Sequence, residues 1–380
     1  MAWRCHAVEP VRRHRSSSRS VIMEDHAYSH ENTHFRPVER PAPIVRADAV
    51  AHVIFERSNV EEMGRFLEDF GFVPCNGEQG ATRYFRGYGT FPYCVEVIPS
   101  DRDAFVGFAL TARSADDLRI LADAEGVDIE SCDGPGGGMR VRLTDPDGRR
   151  VDLIHGFTAV EPMETRADLM ATNTPMEKRR VNATVRTPLQ PAPVFRIGHV
   201  VLQTPNFDET ARWYMRHFGY IPTDVNSLSD GSPVLGFFRF NRGAEPSDHH
   251  SLAILEGPAP AMLHISTETF DIESVGQGHQ FLRARGWTPH WGIGRHKLGS
   301  QVFDYWKDSV GDEWEHYADG DVMTDQYPTG YHPLNRGGLW MWGHDLPDTM
   351  RPSEIVPEGA PHKVRMLIEA LLEQPRPWLR

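Results

Sequence analysis

His199, His264 and Glu315 are the residues of this chain whose types could together do chemistry. Each sits in a short segment that alternates like a β-strand: Ile197-Gly198-His199-Val200-Val201-Leu202, Ala261-Met262-Leu263-His264-Ile265-Ser266 and Glu313-Trp314-Glu315-His316-Tyr317. Two imidazoles and one carboxylate on rigid strands make a facial triad. Such a set grips Fe(II) from one side and leaves the opposite positions open for substrate and O2. A His or Glu buried on an apolar strand is costly unless something compensates it, and a metal ion is one such partner. Singly, each residue reads as structural, the histidines as satisfied core groups and Glu315 as a solvated strand-edge carboxylate. Their joint context favours the triad.

The elements that must position these side chains come from a chain of 380 residues, long enough for two or three domains with cores of their own. It is 39% hydrophobic and 24% charged, and its apolar runs are too short to span a bilayer, so an integral membrane protein is not expected. A formal net charge of -13 argues against a broad nucleic-acid surface. Cys5, Cys75, Cys94 and Cys132 have no metal-ligand spacing and suit a reduced, cytoplasmic setting. Of the 19 histidines, more than half fall between His199 and His344, which places any imidazole chemistry in the second half.

A repeat organises the chain. Ala51-His52-Val53-Ile54-Phe55 and Gly198-His199-Val200-Val201-Leu202 each lead through a turn with Asn (Asn59, Asn206) into an amphipathic helix, Val60–Phe70 or Asp208–Phe218. Each helix closes at a Gly, in Phe70-Gly71-Phe72-Val73-Pro74 and Phe218-Gly219-Tyr220-Ile221-Pro222. Short aromatic and β-branched strands follow at Thr82–Phe85, Tyr93–Ile98, Val234–Phe240 and Ser251–Leu255. Each half then repeats the plan, with strands at Ala104–Thr111 and Met262–Ser266, helices at Ala115–Ala124 and Ile272–Arg285, and closing strands at Met139–Leu143, Arg150–Ile154, Gln301–Tyr305 and Glu313–Tyr317. The reading is an α+β protein of two tandem domains, each of two βαβββ modules curled into a cup-like β-barrel.

The boundaries expected are a disordered arm over 1–46, a first domain over 47–157 and a Thr-, Pro- and Arg-rich linker over 158–194. A second domain follows over 195–320, then a tail over 321–380 with a lid-like segment and a helix. Arg12-Arg13-His14-Arg15 and Ser16-Ser17-Ser18 lack an apolar region behind them and so make no secretory signal. That segment reads as the disordered arm or as an overextended start before Met23, with an organellar transit peptide as the alternative. The repeat is also an internal control: His52 matches His199, but Phe105-Val106-Gly107-Phe108 has no imidazole where His264 would stand. The first domain is therefore expected to be a metal-free copy, with His52 a buried, hydrogen-bonded histidine.

Over residues 47–320 the chain resembles the type I extradiol ring-cleavage dioxygenases of the vicinal oxygen chelate superfamily. Gly294-Arg295-His296, Tyr305, Asp308, Gly311 and Glu315 are similar to the family signature, and the intervals between His199, His264 and Glu315 are close to the family's. Asp304 stands where an apolar residue is usual and Ser309 where Pro is usual, which bears on substrate subclass more than on chemistry. The resemblance implies Fe(II), with Mn(II) as the alternative, bound by His199, His264 and Glu315. It implies His250 as the acid/base histidine beside O2, His296 as a histidine that hydrogen-bonds the substrate oxygen or the alkylperoxo intermediate, and Tyr305 as the group that positions and helps deprotonate a catechol. Its partners would be a catechol-type small molecule and O2, in a homo-oligomer. A chelating catechol must lose protons and reduced oxygen must gain one, so groups titrating near neutrality are needed at both ends. Strand alternation assigns the adjacent His249 to the opposite face, at the surface.

Gly134-Pro135-Gly136-Gly137-Gly138 reads as a turn, since no Lys and no strand-to-helix context follow it. The aromatic run Gly338–His344 reads as either a pocket wall or simple packing, and Lys363–Glu373 as a docking helix. Rival readings are a 4-hydroxyphenylpyruvate dioxygenase-like enzyme, a glyoxalase-like enzyme, and a non-catalytic binding member of the same superfamily.

Overall fold

In a computed structural model of the protein, the described residues are 34–75, 81–165, 172–186, 188–347, 350, 359 and 361–372. Residues 1–33, the greater part of the expected arm, lie outside them, as does Glu373 at the end of the expected C-terminal helix.

The first half runs β1 (Ala47–Arg57), α1 (Val60–Phe70), β2 (Val73–Pro74), β3 (Arg83–Arg86), β4 (Val95–Pro99), then β5 (Ala104–Ala112), α2 (Ala115–Glu125), β6 (Ile129–Ser131), β7 (Met139–Thr144) and β8 (Arg150–His155). The second half runs β9 (Val194–Thr204), α3 (Phe207–Phe218), β10 (Ile221–Ser227), β11 (Pro233–Arg239), β12 (Ser247–Asp248), β13 (Leu252–Glu256), then β14 (Ala261–Thr269), α4 (Ile272–Arg285), β15 (Thr288–Pro289), β16 (Gly294–His296), β17 (Val302–Lys307) and β18 (Glu313–Ala318). Each half is thus a pair of βαβββ modules. Within a module the first and last strands pair in parallel, as β1 with β4 and β14 with β18, and the modules join antiparallel through β1–β5 and β9–β14. Two curled sheets result, the α+β arrangement of paired βαβββ modules expected from the repeat.

The helices form where the sequence supplies both ends. Asn59 and Asn206 accept from the backbone N–H of Glu62 and Glu209, satisfying donors that a helix start leaves orphaned. Gly71 and Gly219 end the helices at positive φ, 119° and 73°, a conformation that costs a side chain energy. Between the caps, Met63, Phe66, Leu67 and Phe70 of α1, and Ala211, Tyr214, Met215 and Phe218 of α3, face one continuous core shared by the two halves.

That core pins the strand that carries Glu315. Side chains alternate along a strand, so Trp314 and His316 point away from Glu315. Trp314 is packed among Phe55, Phe66, Phe70 and Phe72 of the first half. His316 stacks on Phe70 at 3.8 Å between centroids, and its Nε2–H donates to the Phe70 carbonyl at 2.7 Å. Burial pushes the His316 imidazole down to about 4, so it stays neutral there.

A buried ion pair also joins the halves. Arg57, at the end of β1, donates to Asp308 at 3.1 Å and Asp312 at 2.5 Å, and both Arg57 and Asp308 are essentially solvent-free. Asp308 also accepts from the backbone N–H groups of Val310, Gly311 and Asp312, which shapes the turn leading into β18. Removing one member of a buried pair strands the other, at a cost of about 3–5 kcal/mol. Arg57→Met is therefore expected to lower the unfolding free energy measured by denaturant titration by that amount, whereas a change under about 0.5 kcal/mol, the scale of an ordinary surface substitution, would show the pair to be dispensable.

Two segments differ from expectation. Residues 34–46, assigned to a disordered arm, are held by backbone bonds from Arg36 to Gly231, Ile44 to Arg216 and Val45 to His217. Residues 321–372, expected as a tail, add β19 (Val322–Met323) against β12, β20 (Gly330–Pro333) against β10 and β21 (Trp340–Gly343) against β16. The expected docking helix is present as α5 (His362–Leu372), which packs Val364, Leu367, Ile368 and Leu371 on Leu228, Val234 and Leu334. Alternation on so short a strand as β20 gives little sequence signal, which is why these edges went unread. Among the described residues no helix is long and apolar enough to cross a membrane.

Candidate metal centre

The three candidate ligands lie on three neighbouring strands at the middle of the second sheet, in the order β9, β14, β18. Ser266 of β14 pairs with His199 on one side and Glu315 on the other, and His264 lies two residues along β14 on the same face. The sheet thus converges the three side chains. The His199 Nε2–Glu315 Oε2 separation is 3.2 Å, His264 Nε2–Glu315 Oε2 is 3.5 Å, and the two Nε2 atoms are 3.4 Å apart. All three donor atoms lie within 4.8 Å of one another.

The residues fit a divalent cation. Ligand atoms at roughly 2.1 Å from a metal and at right angles to one another stand about 3 Å apart, close to these separations. Glu315 Oε2 is within ion-pair distance of both imidazoles, yet it forms no hydrogen bond of proper geometry, and the buried Nδ1 of His199 also lacks a partner. A buried carboxylate oxygen aimed past its neighbours is what a metal would satisfy.

The protonation states agree. Burial lowers the His199 pKa, favouring the neutral imidazole that can ligate. Burial alone would raise Glu315, but the adjacent imidazoles of His199, His264 and His296 outweigh it and hold the carboxyl well below its usual range. The resting cluster therefore carries an ionised Glu315.

The other side chains singled out in the sequence surround this cluster. The His250 ring lies 4.1 Å from that of His199, centroid to centroid, and is buried. His296 of β16 hydrogen-bonds through Nδ1–H to the Leu339 carbonyl at 2.9 Å. Its Nε2 lies 2.9 Å from the Tyr305 hydroxyl and 3.3 Å from Glu315 Oε1. With Nδ1 as the donor, the neutral form of His296 accepts at Nε2 from the Tyr305 O–H. Burial, with Glu315 adding to it, pushes the Tyr305 phenol well above its usual pKa, so it is a neutral donor. The run around Trp340 forms a wall: Trp340 packs on Trp291 at 5.7 Å, and Leu339 supplies the carbonyl that orients His296.

His249 corrects the sequence reading. It is buried, not at the surface, because residues 249–251 form a bend between β12 and β13 where strand alternation does not hold. Its Nδ1 is 3.0 Å from His250 Nδ1, and its Nε2 is 2.6 Å from Asp224 Oδ2. Asp224 and His332, joined at 2.7 Å, complete a chain that sequence reasoning missed. The signal for Asp224 was weak: one acidic residue inside Ile221–Ser227, a strand buried along its whole length.

The first half shows what replaces the cluster. Ala109 pairs with both His52 and Asp152, as Ser266 does with His199 and Glu315, so Gly107 stands where His264 does. Asp152 is compensated by Arg142 at 3.2 Å and Arg150 at 2.9 Å. Burial pushes His52 down to about 3, and the Tyr93 hydroxyl lies 3.4 Å from its Nε2.

Comparison with known proteins agrees with this geometry. Residues 196–316 match the family model described as the Glyoxalase/Bleomycin resistance protein/Dioxygenase superfamily. This segment belongs to that superfamily. A curated relative, metapyrocatechase 2 of Cupriavidus necator, is 27% identical over 341 residues, covering 86% of this chain and 98% of its own length. Among solved structures, homoprotocatechuate 2,3-dioxygenase of Brevibacterium fuscum, in complex with 3,4-dihydroxyphenylacetate, superposes with a TM-score of 0.67 at 18% identity, covering 82% of this chain and 94% of that one. An Mn(II)-bound glyoxalase of Novosphingobium aromaticivorans gives the same TM-score at 21% identity, covering 82% and 96%. At these identities the structural likenesses speak for the superfamily fold.

Proposed function

We propose that this protein is a metal-dependent extradiol dioxygenase that cleaves a catechol-type ring with O2, with Fe(II) as the resident metal and Mn(II) as the alternative. The observation that carries the reading is the His199, His264 and Glu315 cluster with His250 against His199 and the Tyr305–His296 pair against Glu315. The similarity to metapyrocatechase 2, a relative matched over most of both chains, supports the same chemistry.

His199, His264 and Glu315 would hold the metal, and the bound metal would supply Lewis acidity toward the diol and a meeting point for substrate and O2. The chain's own residues do the rest. Tyr305 and His296 sit at Glu315 as a hydrogen-bonded pair that can orient a catechol hydroxyl and receive its proton at His296 Nε2. His250, buried against His199, offers a second imidazole for moving a proton. Trp291, Phe303 and Trp340 close the Tyr305 side with apolar surface and keep bulk water from it.

The test is anaerobic reconstitution with Fe(II) or Mn(II), then a screen of substituted catechols for O2 uptake and coloured ring-opened products. Uptake of one O2 per ring opened is the expected result. A protein that binds metal stoichiometrically but consumes no O2 with any catechol would instead be a non-oxygenase member of the superfamily.

A further inference from the structure

We propose that Asp224, acting through His249, fixes the tautomer and ring orientation of His250, with His332 holding Asp224 from its other oxygen. The assignment of His250 to acid/base work belongs to the functional reading above; the positioning inference rests on that reading for its consequence and on the hydrogen-bond chain for its geometry.

The chain is built from buried groups of fixed polarity. Asp224 of β10 accepts from His249 Nε2 at 2.6 Å and from His332 Nε2 at 2.7 Å, one on each carboxylate oxygen. Burial opposes the charge on Asp224, but these two bonds outweigh it and hold its carboxyl below the usual range. A carboxylate can only accept, so the proton between Asp224 and His249 sits on His249 Nε2. In the neutral form of His249 the Nδ1 is bare and accepts from its neighbour, His250 Nδ1 at 3.0 Å. The His250 proton is thereby placed on Nδ1 and its Nε2 is left as the free basic nitrogen. Replacing Asp224 by Asn leaves one acceptor oxygen and one donor NH2, so the amide can accept from only one of the two imidazoles and no longer fixes both protons.

The surroundings are shaped to this chain. Gly330 of β20 pairs with Asp224, and a Cβ there would fall 2.1 Å from Asp224 Oδ1 and 2.8 Å from His332 Nε2. Phe237 lies against both imidazoles, with ring centroids at 5.9 Å from His249 and 5.0 Å from His250. His332, whose side chain is 37% exposed, is the member nearest solvent, while Asp224, His249 and His250 are buried. A carboxylate that orients a working imidazole through a hydrogen bond is a device of general use, and loss of such a partner typically costs 10–100-fold in activity.

Two measurements test the inference in the full chain. In metal-free protein labelled with 15N-histidine, long-range proton–nitrogen spectra are expected to show His250 protonated at Nδ1, and that signature should be lost or averaged in Asp224→Asn. In Fe(II)-loaded protein, Asp224→Asn is expected to keep metal content and anaerobic affinity for catechol while lowering kcat by about 10–100-fold. In a His250→Phe background the same change should cost nothing further, because its effect passes through His250. Gly330→Ala, which crowds the carboxylate without removing it, should give a weaker form of the same pattern. His250 protonated at Nε2 in the unaltered protein, or an Asp224→Asn loss of equal size in both backgrounds, would overturn the proposal. If the nitrogen spectra behave as expected but no catechol is turned over, the positioning stands and the functional reading is the one that fails.

Discussion

Glu315→Ala protein is expected to emerge from anaerobic reconstitution without stoichiometric iron and without measurable catechol turnover, while circular dichroism shows its fold retained. His199→Ala and His264→Ala should do the same. The donor atoms of the three residues stand 3.2–3.5 Å apart, so deleting any one leaves a two-ligand site in which water must take the third place. Outer partners of a metal site already matter by 10–100-fold in affinity, and a direct ligand should matter more. The fold should survive because Trp314 and His316, on the other face of the same strand, carry the packing of β18. His52→Ala and Asp152→Ala are the controls. They occupy the matching places in the first half, where Arg142 and Arg150 compensate the carboxylate, and should leave iron content unchanged. Metal analysis of the five proteins decides the matter: full iron in Glu315→Ala would remove Glu315 from the ligand set. The neighbouring carboxylate Glu313 would not be an obvious replacement, since it pairs with His290 at 3.0 Å.

Much of this architecture could be read from residue order because its signals are local. Asn before a helix and Gly after it act within one turn, and α1 and α4 fall within the expected bounds. The candidate ligands were legible for a similar reason: a His or Glu at a core position of a strand is conspicuous against the alternation around it. What was not legible depends on pairing between distant segments. Asp224 reads as one acidic residue in a strand until β20 brings His332 and Gly330 alongside it, more than a hundred residues later in the chain. His249 was assigned to the surface by an alternation rule that a bend between two short strands suspends. Asp308 reads as a signature residue near the site, yet its contacts are with a turn and with Arg57 in the other half. Asp145 occupies the corresponding turn in the first half, bonding Arg149 within that half and Tyr214 across the same boundary.

The second large effect is expected at His250, and its value lies in the contrast with Tyr305. His250→Phe should keep iron and anaerobic catechol affinity, since the ring lies beside His199 without entering the ligand set, but kcat should fall by roughly 10²–10⁴-fold, the scale of a lost general acid/base. Tyr305→Phe removes the hydroxyl that donates to His296 Nε2, leaving that nitrogen without its donor beside Glu315. Its loss should therefore appear as a weaker catechol KM or a slower deprotonation of the bound diol, again with metal in place. Stopped-flow mixing resolves the two, because catechol can be bound without oxygen and O2 added afterwards: the Tyr305 defect belongs to the first phase and the His250 defect to the second. His249→Phe should fall between wild type and His250→Phe, as befits a residue that acts through its neighbour. A collapse in His249→Phe alongside an unchanged His250→Phe would transfer the acid/base role to His249. Equal defects in both phases for both variants would mean that the two side chains only shape the pocket, and the case for ring cleavage would then rest on the metal cluster alone.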